Sequence, residues 1–134
     1  MISNIYIPLK NVKTKKNIII ASGWKPGWST DYVAVLLAKQ FEAKEILNLS
    51  NISHIYDKDP KKFMDAKKLF EVSWKDYRKI IGDKWIPRLN SPFDPIASKE
   101  AEKSGVMVAV LKGTDLNNVE NYLQGQAFKG TIIK

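Results

Sequence analysis

The chain has 134 residues, 44% of them apolar, and a formal net charge of +8. That length is enough for one domain with a real core, and the composition is ordinary for a folded globular protein. With no cysteine and a single histidine, His54, the sequence excludes disulfides, thiolate catalysis, thiolate metal sites and any multi-histidine metal site within one chain.

No apolar window approaches the length of a transmembrane helix. The opening stretch, MISNIYIPLKNVKTKK, lacks the order of a signal peptide, because its lysines follow the apolar residues. The expectation is a soluble cytoplasmic protein with no membrane partner. The basic charge is scattered in small groups: Lys13, Lys15 and Lys16; Lys58, Lys61 and Lys62; Lys67 and Lys68. It suits a phosphate-bearing partner. No RNA-recognition, zinc-finger or Gly-x-x-Gly clamp signature is present, so a solvated basic surface is the simpler reading and nucleic acid is not the expected partner.

Residues 1–16 read as an irregular basic N-terminus, and residues 17–21 (NIIIA) as a buried strand. The polar loop SGWKPGWSTD, 22–31, then opens a helix over 31–42. There Val33, Leu36, Leu37 and Phe41 share a face, with Ala34 and Ala38 beside them. Ser29 or Thr30 can cap its first turn. Residues 45–49 (EILNL) read as the next strand, giving a β-loop-α-β unit with a right-handed crossover. A strand, a Gly/Pro loop and a helix N-terminus suit an anion: backbone N–H groups approach it and the helix dipole favours negative charge.

A second loop, NLSNISHIYDKDPKK at 48–62, ends in a charged turn that leads into a short helix within 57–68. Ser73 with Asp76 resembles a capping box for a helix running to about Ile81. Residues 82–92 read as an irregular loop. Asp94 caps a helix with Pro95 at its first position, and Gly105 ends it. Residues 106–111 (VMVAVL) are a buried strand, Thr114 or Asp115 starts a helix that stops near Gly125, and residues 131–133 (TII) are a final short strand. Alternating strands and helices imply an α/β fold, a mainly parallel sheet between helices, in a single domain over 1–134.

Four ordered segments carry a resemblance. SGWKPGWSTDYVAVLLAK is similar to the pattern Gly-Gly-Thr-x-Pro-Gly-x-Ser/Thr-Thr-Asp-Ala-x-Ala-x-Leu-Leu-Ala. NLSNISHIYDKDPKK is similar to Asn-x-Thr-Asn-Val-Asp-Gly-Val-Tyr-x-x-Asp-Pro-Lys, SPFDPIASK to Phe-Asp-Pro-x-Ala-x-Lys, and QAFKGTIIK to a Gly-Thr-x-Ile terminus. From about residue 17 onward the chain resembles the C-terminal part of the archaeal-type UMP kinases of the amino-acid kinase family. The resemblance implies an N-terminally truncated α/β/α sandwich of the amino-acid kinase (carbamate kinase-like) type, and a homo-oligomer. It implies phosphoryl transfer from ATP to UMP, giving UDP, with Mg2+ held mainly through the phosphates and no metal site made by the protein.

Carried over by position, Trp24, Lys25, Pro26, Gly27, Trp28, Ser29 and Thr30 correspond to the stretch that surrounds UMP. Ser50, Tyr56 and Asp59 correspond to ATP contacts, and Asp31 to an aspartate that orients the catalytic lysines. Each has a simpler reading too. Gly27 after Pro26 makes a tight turn, Thr30 caps a helix, Asp31 faces a helix dipole, and Tyr56 and Asp59 are turn residues. Two tryptophans in one polar loop call for a ligand or a neighbouring subunit to cover them.

The departures are specific. The Lys-x-Gly-Gly-Ser loop that cradles the transferring phosphate is absent from this sequence, Ser53 and His54 replace Asp-Gly, and Arg88 stands where glycine is usual. At a positive φ, His54 would carry modest strain. Two readings follow. One is a UMP kinase-like protein, either truncated here or completed by a separate N-terminal polypeptide; the other is a non-catalytic nucleotide- or oxyanion-binding module of the same fold.

Overall fold

In the computed structural model, residues 2–5, 14–82 and 91–134 are described. The loop expected over 82–92 therefore lies mostly outside them, and Arg88 entirely. Among these residues eight strands and four helices run in the order β1 (Ile2–Ile5), β2 (Ile18–Ala21), α1 (Thr30–Gln40), β3 (Glu45–Ser50), β4 (Ile55–Tyr56), β5 (Lys68–Leu69), β6 (Glu71–Val72), α2 (Trp74–Ile81), α3 (Pro95–Ser104), β7 (Met107–Lys112), α4 (Leu116–Leu123) and β8 (Thr131–Ile133).

The main sheet has the order β3-β7-β8-β6. β3 and β7 pair in parallel, as do β6 and β8, whereas β8 runs antiparallel to β7. Successive side chains of a strand point to opposite faces. On β7, Val108 and Val110 join the core formed with Val35 and Ala38 of α1, Trp74 and Tyr77 of α2 and Ala97 and Ala101 of α3. Ala109 and Leu111, on the other face, are also fully buried, on the side where α4 packs against β7. Helices thus cover both faces of a mainly parallel sheet, the expected sandwich.

The helices begin where their caps place them. Ser73 Oγ accepts from Asp76 N at 3.1 Å, and Asp94 Oδ1 accepts from Ala97 N at 2.7 Å with Pro95 in the first turn. Gly105 closes α3 at φ +64, a conformation that only glycine takes without cost. Asp115 rather than Thr114 caps α4, through Asn118 N.

Four expectations change. Residues 2–5 form β1, which pairs in parallel with β2, instead of being irregular. β2 is not buried: Ile18 is 59% and Ile20 50% exposed, and β1 is its only ladder partner among the described residues. β2 and β3 flank α1 but are not ladder neighbours; they lie in different sheets. No helix forms within 57–68. Asp59 takes Lys61 N on its side chain at 2.9 Å and Lys62 N and Phe63 N on its carbonyl, making a local turn. Asp57 and Lys67 then close the segment, with Asp57 N donating to Lys67 O and Lys67 N to Asp57 Oδ1. The β4–β5 antiparallel pair follows.

Glu42, just past α1, has φ +56 and is the one positive-φ non-glycine among the described residues. It holds the left-handed position of a helix-terminating motif in which Ala43 N donates to Ala38 O at 2.8 Å. Glu42→Gly is expected to raise stability by about 0.5–1 kcal/mol, net of glycine's larger entropy loss. Urea unfolding checks this.

Candidate functional site

The chain leaves β2 at Ala21 and reaches α1 through residues 22–29. Trp28 N donates to Lys25 O at 3.3 Å, and Gly27 between them has φ +90. Pro26 at the first central position and a left-handed glycine at the second make a type II turn, so the tight-turn reading of Gly27 holds. Ser29, extended at φ −75 and ψ 159, is the N-cap, and its Oγ accepts from Tyr32 N at 3.1 Å. Thr30 is the first helical residue and is exposed. The N–H groups of Thr30 and Asp31 have no intrahelical carbonyl to bond, and the positive end of the dipole lies there.

Asp31, in that first turn, reaches across to α3: its Oδ2 accepts from Asp94 N at 2.9 Å. Burial raises its carboxyl above the ordinary range; the Asp94 hydrogen bond opposes this and the Asp94 charge adds to it. Tyr77 continues the connection. Its buried hydroxyl donates to Phe93 O at 2.9 Å and accepts from Phe93 N at 2.8 Å. On the other side, Asn48 Nδ2 donates to Pro92 O at 2.7 Å. The segment Pro92–Asp94 therefore bridges the N-terminus of α1 and the C-terminal half of β3. Sequence reasoning found Asp94 as a cap and as part of the SPFDPIASK segment, without its link to Asp31, and missed Asn48 and Tyr77. Each acts through a contact far away in the chain, for which no local pattern is a signal.

The predicted nucleotide residues fall into two groups. Trp24, Lys25, Pro26, Gly27, Trp28, Ser29, Thr30 and Asp31 form one continuous loop and helix start. Ser50 ends β3, where its carbonyl accepts from Gly113 N at 2.8 Å and brings the ends of β3 and β7 together. Tyr56 lies opposite Lys68 in the β4–β5 pair, and Asp59 spends one carboxylate oxygen on its own turn. No hydrogen bond, ion pair or ring contact among the described residues joins Ser50, Tyr56 or Asp59 to the first group. A cleft of about 490 Å³ lies at the far ends of α1 and α3, bordered by Ala38, Lys44, Lys103 and Val106, and holds none of the predicted residues.

His54 is 5% exposed, and no partner meets its Nε2 among the described residues. Its Nδ1 lies 3.2 Å from Ser53 Oγ, and its ring meets Phe70 edge-on at 5.4 Å. Its φ is not positive, so the anticipated strain is absent. Burial lowers its pKa, with the charges of Lys68 and Lys129 adding to the effect. The folded state therefore resists protonation while the unfolded chain accepts it near pH 6.5. This contribution to stability is complete above that value and is lost as pH falls toward the lower folded pKa. Thermal unfolding between pH 5 and 8 should show a smaller acid-side loss for His54→Gln than for the wild type.

Among the described residues no group of three or more acidic, histidine or cysteine side chains is placed to hold a metal ion. Asp31 and Asp94 are the two carboxylates brought together here, and both already accept backbone hydrogen bonds. Such a donor set fits Mg2+ carried on phosphate oxygens better than a metal caged by protein.

Residues 8–112 match the Amino acid kinase family. The uridylate kinase of Methanococcus aeolicus is 34% identical over 117 residues, covering 87% of this chain and 51% of that protein. The uridylate kinase of Methanocorpusculum labreanum is 31% identical over 134 residues, covering 99% of this chain and 57% of that protein. The crystal structure of the Archaeoglobus fulgidus uridylate kinase superposes with a TM-score of 0.71 at 30% identity, over 87% of this chain and 52% of that one. The chain thus spans about half the length of the relatives it matches. In fold and in sequence it belongs to the amino acid kinase family, and it corresponds there to the C-terminal part of the archaeal uridylate kinases.

Proposed function

We propose that residues 1–134 form a single nucleotide-binding domain whose reaction is ATP-dependent phosphoryl transfer to UMP, giving UDP, in the cytoplasm. The observation that carries this reading is the Asp31–Asp94 bond, which fixes an ionisable carboxylate beside the N-terminus of α1, within the segment that resembles the uridylate kinase pattern. Phosphoryl transfer asks a protein mainly for positioning and charge stabilisation. The residues Trp24 to Thr30 hold the acceptor, with the first-turn N–H groups of α1 on its phosphate. Asp31 orients the cationic side chains that meet the transferring group. Ser50, Tyr56 and Asp59 hold ATP. Bound Mg2+ supplies charge neutralisation of the phosphates.

The catalytic lysine loop is supplied by the N-terminal half of the fold, whether that half precedes these residues in the same chain or is a separate polypeptide. That half also covers the exposed isoleucines of β2 and the edge of β3 that has no ladder partner among the described residues, either of which would otherwise favour self-association. We further propose that the chain assembles as a homo-oligomer.

A second reading is a nucleotide- or oxyanion-binding module without turnover, since the loop and helix start at residues 22–31 suit an anion by themselves. The two separate in a UMP-dependent assay of ADP formation. The chain is assayed alone and co-expressed with the N-terminal half of the Methanococcus aeolicus uridylate kinase. Turnover only in combination is the expected result. Nucleotide binding without turnover in either case supports the second reading.

A further inference from the structure

Trp24, Trp28 and Tyr32 form a ladder of rings across the loop and the first turn of α1. The centroids of Trp24 and Trp28 are 5.5 Å apart with planes tilted by 36°, and Trp28 stacks on Tyr32 at 4.4 Å and 27°. The spacing explains the ladder. Trp28 and Tyr32 are four residues apart at a helix start and share a face, and the Pro26–Gly27 turn folds Trp24 back onto Trp28. The Lys25 ammonium lies over the Trp24 ring, 4.3 Å from its centroid. Trp24 and Tyr32 stand where the family pattern quoted above has threonine and alanine, so two of the three rings are this chain's own.

We propose that Trp24 is a base-stacking residue: the base of a nucleoside monophosphate takes the place of the Lys25 ammonium over the Trp24 ring, and Lys25 turns to the phosphate. This rests on the acceptor reading of the loop and adds how the base is recognised.

Magnitudes favour the exchange. A cation over an exposed ring is worth roughly 2- to 5-fold in an equilibrium. A base stacked on an aromatic side chain is worth roughly 5- to 150-fold in affinity. The displaced ammonium does not lose its role, because a phosphate beside the N-terminus of α1 gives it a stronger partner. Trp28 and Tyr32 are positioning residues. Packed in series, they hold the Trp24 ring in place, so little side-chain entropy remains to be lost on binding.

Calorimetry on the whole chain with UMP and with ribose 5-phosphate, which has no base, tests this. UMP should bind at least about 5-fold more tightly than ribose 5-phosphate. Trp24→Thr should bring UMP to the level of ribose 5-phosphate while leaving ribose 5-phosphate unchanged. Trp24→Phe, which keeps a ring, should restore most of the difference. An equal loss for both ligands in Trp24→Thr, or no loss, would overturn base stacking and leave the nucleotide reading standing. If neither binds to a folded wild-type chain, both ideas fail.

Discussion

Asp31→Asn is expected to abolish function without harming the fold. In the reconstituted assembly UMP-dependent turnover should fall by about 10²–10³-fold, the scale seen when one preorganised electrostatic group is removed. The thermal midpoint at pH 7 should stay level or rise. The carboxyl is raised in the folded state, first by burial. The folded protein therefore holds its proton more tightly than the unfolded chain does, and this group's contribution to stability falls as pH rises through the window above 3.8. Asparagine keeps an oxygen for Asp94 N–H and removes the charge. Asp31→Ala removes the acceptor as well. It leaves the N–H of a residue that is 4% exposed without its partner, at a cost of about 1–3 kcal/mol. Calorimetric unfolding of both variants beside the turnover assay separates the roles. A merely structural Asp31 would let Asparagine-substituted protein keep its turnover.

Tyr77→Phe carries the second large effect, this time on stability. The Tyr77 hydroxyl serves both the N–H and the C=O of Phe93, and Tyr77 and Phe93 are 0% and 1% exposed. Removing the hydroxyl strands both backbone groups, and the expected loss is about 2–4 kcal/mol in urea unfolding. Burial, together with the charges of Asp31 and Asp94, lifts this hydroxyl well above the usual tyrosine range. Because Phe93 precedes Asp94, the same variant should loosen the Asp31–Asp94 bond and lower turnover more than a distant core substitution of equal cost. A loss below about 0.5 kcal/mol would show that water or a shifted backbone replaces the hydroxyl.

The helices were legible because their ends are written locally. Ser29, Ser73, Asp94 and Asp115 cap the helices they precede, and Gly105 stops α3 where the sequence places it. The four residues of β1 gave no periodic signal, since its order depends on a parallel partner beginning sixteen positions on, at Ile18. The stretch 57–68 has helix-forming lysines, but the side chains of Asp57 and Asp59 capture nearby backbone N–H groups and favour turns instead. β6 has two residues, too few for a pattern.

The candidate site divides in the same way. The loop from Trp24 to Asp31 was readable as a unit because its Pro-Gly turn and serine cap are contiguous. The link from Asp31 to Asp94 spans 63 positions, and that from Tyr77 to Phe93 spans 16. Neither is encoded in any short window. The Trp28–Tyr32 stack lies between these extremes, since its four-residue spacing marks a shared helix face once the helix start is known.

Isothermal titration of the folded chain with UMP and with Mg-ATP, followed in parallel by tryptophan fluorescence, tests the central claim most directly. The expected result is saturable binding of each ligand, with UMP changing the emission of Trp24 and Trp28. A chain that unfolds cooperatively yet takes up neither nucleotide would contradict it, and the kinase motifs would then describe ancestry rather than present function.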